Sequence, residues 1–151
     1  MTAENDTQVP EFGERVHGAR YAERPGSYGL AFDDESSCVY VLRTGAGTFL
    51  PGGGANAGET EESTLRREVL EECGRAVEVV RRIGVAIEYV SAEDEGDFAK
   101  RCAFFEVRLG ERTTGPSEDD HTPIWMSIEE ARVRLSHASQ RWALETAVRL
   151  R

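Results

Sequence analysis

Apolar residues along this chain follow two periods, and the places where the period changes mark its elements. Residues 28–32 form a short apolar run ended by Asp33, Asp34 and Glu35, and residues 38–42 (Cys-Val-Tyr-Val-Leu) are rich in strand formers. Two strands joined by an acidic turn are predicted there. Gly45, Gly47 and the run Pro51-Gly52-Gly53-Gly54 then put too many breakers in one stretch for a helix, which predicts a loop. Over residues 60–73 the pattern turns helical. Leu65, Val69 and Cys73 recur at every fourth position, Glu61 and Glu62 fall in the first turn where the helix dipole favours acid, and Gly74 stands at the C-cap.

Downstream, residues 77–80, 83–90 and 102–109 read as strands, separated by polar loops over residues 91–97 and 110–120. Residues 124–126 are a short strand candidate, Ser127 is a plausible N-cap for a helix over residues 128–135, and Ser139 begins a last helix carrying Trp142, Leu144, Val148 and Leu150. Strands on both sides of a central helix, with more helix at the end, predict an α/β fold in which a mixed sheet lies between helices. A chain of 151 residues is the size of one domain. Residues 1–26 are polar with little periodicity and read as a flexible or partly ordered leader, and residues 27–151 as the domain itself.

Composition narrows the function. With 39% hydrophobic and 30% charged residues the chain is globular in type, and no apolar run approaches a bilayer span of roughly 20 residues. The polar, acidic start lacks a secretory signal, so a cytoplasmic location is expected. Cys38, Cys73 and Cys102 are odd in number and lie in or beside apolar segments, which predicts reduced core thiols and no disulfide framework. Neither they nor the scattered His17, His121 and His137 form a zinc pattern. A net charge of −10 disfavours duplex nucleic acid, and it means that a phosphate substrate needs a cation as mediator.

That cation has an evident place. At about 100° per residue, Glu68, Glu71 and Glu72 fall on one arc of the predicted helix, beside the Leu65, Val69 and Cys73 stripe. Like charges so spaced destabilise a helix unless something neutralises them, and Mg²⁺ or Mn²⁺ takes oxygen ligands of this kind while sharing its sphere with water and phosphate. Arg67 is placed to hold a carboxylate, Gly53 and Gly54 let backbone approach a phosphate, and Glu59 closes the loop at the helix start. For Glu71 and Glu72 alone, a solvated acidic face is the plainer reading. The spacing of the whole segment decides against it.

Gly53, five residues, Glu59, seven residues, then Arg67-Glu68-Val69-Leu70-Glu71-Glu72-Cys73-Gly74 closely resembles the Nudix box. Arg75 departs from it, since an aliphatic residue normally follows that glycine; Asn56 and Ala57 differ from the common acid and proline. The resemblance extends through Leu50-Pro51-Gly52 and the segment from Trp125 to Ala131, and covers roughly residues 28–151. It implies an α/β/α sandwich that hydrolyses a phosphoanhydride in a nucleoside diphosphate linked to another moiety: a nucleoside triphosphate, a dinucleoside polyphosphate or a nucleotide sugar. The absence of an added domain favours the first two over bulky ADP-ribose. Carried over, Glu68, Glu71 and Glu72 would bind Mg²⁺ or Mn²⁺, and Arg67 and Glu59 would support the loop and helix. Glu68 is the first choice for the base and Glu118 the second.

For Glu118, Asp119 and Asp120 a solvated acidic loop is an equal alternative, and Glu93, Glu95 and Asp97 lean further towards it. Phe104, Phe105, Trp125 and Trp142 are expected in the core, Arg24 and Tyr28 at the surface or in the core, His121 as a loop polar group and His137 as a helix-end residue. The alternative function is a nucleotide-sensing module of the same fold without turnover, which often lacks acids of the box that this chain keeps. Isomerisation of an isoprenoid diphosphate would call for a further reactive cysteine and glutamate, whereas core packing accounts for Cys73 and Cys102. Specificity is expected in the loops over residues 91–100 and 110–121. A homodimer is common in the family and is left open by the sequence.

Overall fold

The computed structural model describes residues 9–16, 18, 20–92, 96–113 and 120–151. Its elements run β1 (Glu11–Phe12), β2 (Ala22–Leu30), β3 (Cys38–Thr44), β4 (Gly47–Phe49), β5 (Gly52–Gly54), α1 (Glu61–Cys73), β6 (Arg75–Ala92), β7 (Gly96–Arg112), β8 (Thr122–Ser127), α2 (Ile128–Arg134) and α3 (Ala138–Leu150). Five strands form one mixed sheet in the order β1-β6-β7-β2-β5, and three form a second in the order β4-β3-β8. β2 lies parallel to β7 and β1 parallel to β6, while the other pairs are antiparallel. Backbone hydrogen bonds from Gly29 N to Pro51 O and from Tyr40 N to Ala31 O link the two sheets, both 2.9 Å long.

Strand alternation supplies the two faces. Tyr28 and Leu30 of β2, Val39 and Val41 of β3, and Cys102 and Phe104 of β7 pack with Leu135, Ala143, Leu144 and Ala147 beneath α2 and α3. Ala31, Tyr40, Leu42, Ala103, Phe105 and Val107, from the alternate positions, pack with Leu65, Val69 and Cys73 of α1. The expected α/β/α sandwich around a mixed sheet is the architecture observed. Among the described residues no helix is long and apolar enough to cross a membrane.

Several elements differ from the pattern read in the sequence. β2 begins at Ala22 and β1 adds a further strand, so sheet structure reaches into the segment read as a leader; the first residues of β2 are exposed and give no apolar signal. The predicted glycine loop holds β4 and β5, whose ladders need only backbone groups. The separate strands at 77–80 and 83–90 are one strand, β6, paired with β7 through register shifts at Arg75/Val77, Val79/Arg81 and Arg82/Gly84 that absorb the polar Arg81-Arg82 interruption. Cys73 and Cys102 are buried and Cys38 half-buried, all three free thiols. Burial pushes the Cys73 thiol up to about 12 and that of Cys102 up to about 11.

Candidate active site

Helix α1 is fixed at both ends. Thr60 Oγ1 accepts from Ser63 N at 3.0 Å and Ser63 Oγ accepts from Thr60 N at 2.9 Å, a reciprocal cap. Gly74 ends the helix in the left-handed conformation at φ 67° and donates to Leu70 O. The carboxylates on the helix are therefore presented from a rigid element.

Arg67 is the hub of the arrangement. Its Nε donates to Glu59 Oε2 at 2.7 Å and its Nη2 to Glu59 Oε1 at 2.9 Å, a two-point clamp. The same Nη2 donates to Gly54 O at 2.9 Å, and Nη1 reaches Glu68 Oε1 at 2.9 Å and Glu71 Oε2 at 3.2 Å. Glu59 in turn accepts from Asn56 N at 2.6 Å and Thr64 Oγ1 at 3.1 Å. These donors, Arg67 first, hold the Glu59 carboxyl well below the usual range, at about 2. Loop and helix are thus locked by one guanidinium.

Two glycines admit the carboxylates. A Cβ at Gly53 would collide with the Glu68 carboxylate, so only glycine leaves that group its place. Gly52, at φ 146°, donates from its N to Glu72 Oε1 at 2.8 Å. Glu72 is buried, and Tyr28 lies near both Glu68 and Glu72; burial first, then neighbouring negative charge, pushes the Tyr28 hydroxyl far up, so it stays protonated. Among the described residues no three His, Cys, Asp or Glu side chains close into a metal cage. A hard cation nonetheless suits the donors. Mg²⁺ is usually held by one or two carboxylates, with waters and substrate phosphates completing its octahedron, and the lack of a Cβ at Gly53 leaves room for one such group, that of Glu68.

Of the other sequence candidates, Glu118, Asp119, Glu93 and Glu95 lie outside the described residues. Asp97 and Asp120 are exposed. Phe104 and Phe105 are core, whereas Trp125 is 44% exposed and packs edge-on against Tyr40, a departure from the core role expected of it. Arg24 is exposed and stacks on Phe98, and His137 is the N-cap residue of α3. His121, expected as a loop polar group, lies in the loop ahead of β8. Its side chain is 17% exposed and its Nδ1 lies 3.7 Å from Glu72 Oε2, a contact with no local sequence signal.

Residues 23–146 match the NUDIX domain family, and the chain belongs to that family. Solved structures share the fold at low identity. A MutT NUDIX hydrolase from Burkholderia pseudomallei is 20% identical, with TM-score 0.64 over 82% of this chain and 97% of that one. The C. elegans Ap4A hydrolase, in a binary complex, is 14% identical, with TM-score 0.64 over 85% of this chain and 96% of that one. An ADP-ribose pyrophosphatase from Streptococcus suis is 17% identical, with TM-score 0.61 over 83% of this chain and 92% of that one. Compared with the curated proteins, the chain matches none.

Proposed function

We propose that this protein is a metal-dependent pyrophosphohydrolase that cleaves a phosphoanhydride bond in a nucleoside diphosphate linked to another moiety. The observation that carries this reading is the Arg67 hub, which ties Glu59, the Gly54 carbonyl, Glu68 and Glu71 into one network on a doubly capped helix. An acidic helix face with no task has no use for such rigidity. The solved structures of like fold include proteins named for MutT, Ap4A and ADP-ribose chemistry, which supports phosphoanhydride hydrolysis and leaves the group beyond the diphosphate to experiment.

Glu68, Glu71 and Glu72 would hold Mg²⁺ or Mn²⁺. Such an ion, when bound, offsets charge developing on the phosphate oxygens and lowers the pKa of a coordinated water. The chain's own residues supply the rest. Arg67 holds Glu68 through Oε1, and the lack of a Cβ at Gly53 leaves room for its carboxylate, so we assign to Glu68 the proton of the attacking water. Glu118 is the second choice for that proton. Arg67 and Glu59 keep the 54–59 loop against the helix, so that the Gly53 and Gly54 backbone can border the diphosphate. A site that gathers this much negative charge binds a polyphosphate only with a cation present. The acidic net charge of the chain is consistent with that dependence.

The test is phosphate release, coupled to pyrophosphatase or phosphatase, across nucleoside triphosphates, dinucleoside polyphosphates and nucleotide sugars with Mg²⁺ or Mn²⁺. Metal-dependent release on one class, lost in Glu72→Gln, is the expected result. Release on no compound overturns hydrolysis in favour of nucleotide sensing without turnover.

A further inference from the structure

We propose that His121 is a positioning residue for Glu72, fixing the second oxygen of a carboxylate whose first oxygen is fixed by the Gly52 amide. The inference rests on Glu72 serving as a metal ligand, as argued above. Glu72 Oε1 accepts from Gly52 N at 2.8 Å. His121 Nδ1 stands 3.7 Å from Glu72 Oε2, an electrostatic contact longer than a hydrogen bond, and the ring's other nitrogen, Nε2, stands 3.6 Å from Asp120 Oδ1. Among the described residues, the imidazole thus has the Glu72 carboxylate on its Nδ1 side and the Asp120 carboxylate on its Nε2 side.

The backbone explains how the ring arrives there. Thr122, the first residue of β8, pairs with Arg43 at the end of the β3–β8 ladder, so His121 is the residue from which the chain enters that sheet. It is held at a strand terminus, with its side chain largely sheltered against the last turn of α1. A carboxylate oxygen carries two lone pairs, so a contact with Gly52 or His121 does not by itself bar a cation from the same oxygen. Side chains that orient a metal-binding carboxylate typically change metal affinity or activity by about 10- to 100-fold when removed.

The experiment measures Mn²⁺ affinity of the full chain without substrate, from the electron paramagnetic resonance signal of free Mn²⁺, beside kcat and its Mn²⁺ dependence. His121→Ala should weaken Mn²⁺ binding by about tenfold and raise the Mn²⁺ concentration needed for half-maximal turnover in parallel. His121→Asn, whose amide nitrogen falls near the place of Nδ1, should recover most of the loss. His121→Leu keeps the bulk without a donor and should behave as the alanine variant does, which covers the case of an alanine chain that fails to fold. Wild-type Mn²⁺ affinity in His121→Ala or His121→Leu, with affinity weakened in Glu72→Gln, overturns the role given to His121 and leaves the proposed reaction standing. Lost turnover with unchanged Mn²⁺ affinity also overturns it, because the ring would then act on substrate and not through Glu72. Equal Mn²⁺ affinity in wild type and Glu72→Gln sinks the metal assignment itself.

Discussion

Helices α1 and α3 are both 13 residues long and cover opposite faces of the same fold, yet they are built to different ends. Helix α3 is a packing element. It buries Ala143, Leu144 and Ala147 and carries Arg149 in its last turn, where the dipole favours a cation. Having no side-chain cap of its own, it uses one from the sheet: buried Glu88 of β6 accepts from Ser139 N at 2.9 Å. Helix α1 supplies its own caps but gives up part of its buried face to a carboxylate, Glu72. It also sets Glu71 and Glu72 in its last turn without a basic residue there, against the dipole. Where a helix departs from the arrangement that best stabilises it, and neighbours such as Arg67 and Gly52 offset the departure, chemistry is the economical explanation.

The sharpest way to break this comparison is to remove the carboxylate and ask what is lost. Glu72→Gln should reduce metal-dependent turnover by more than about a hundredfold, since removing a ligand exceeds the usual effect of its outer partners. The glutamine keeps an oxygen for Gly52 N and relieves charge at the helix end, so the melting temperature should hold or rise. A large drop in melting temperature would show that α1 is a packing helix after all. The matching change in α3 is Leu144→Ala, which empties a fully buried site and should cost about 2–5 kcal/mol in chemical denaturation with little effect on turnover per folded molecule.

Much of the contrast is visible in the sequence, for reasons of range. The period of Leu65, Val69 and Cys73, the acids of the first turn and the glycine at 74 are all local, and α1 runs from Glu61 to Cys73 as they require. The long β6–β7 hairpin shows in the sequence only as separate pieces, because the polar Arg81-Arg82 pair and the register shifts around it break the alternation. β5 could not be seen at all, since three glycines carry no strand signal and pair through backbone alone with residues 26–28. The approach of His121 to Glu72 is a contact between elements distant in sequence, and no local pattern encodes it.

Two neighbouring glycines sharpen the comparison at smaller scale. At Gly52 a Cβ would meet Tyr28 Cα at 2.7 Å, a backbone atom, and φ is 146°. Gly52→Ala should therefore destabilise the fold by about 1–3 kcal/mol. At Gly53 the obstruction is the far end of the Glu68 side chain, which can swing away. Gly53→Ala should leave stability within about 1 kcal/mol of wild type while lowering kcat roughly ten- to a hundredfold by displacing a carboxylate. Equal effects of the two substitutions on stability would contradict the distinction between a backbone need and a site need.

The smallest expected effect concerns the lock that joins loop to helix. Glu59 titrates at about 2 in the folded chain against 4.5 for an ordinary glutamate, because Arg67, Asn56 and Thr64 donate to its charged form. A depressed carboxyl pKa means that the unfolded chain takes up the proton first. The stability Glu59 contributes is then present in full above the ordinary value and is lost as pH falls from there through about 2. Glu59→Gln should lower the melting temperature slightly at about pH 7, and the gap to wild type should narrow below about pH 4. Added salt should narrow it at neutral pH as well, since the pair lies near the surface. A gap that stays constant down to about pH 3 would mean that the carboxylate charge contributes nothing, and that hydrogen-bonding shape alone fastens the 54–59 loop to α1.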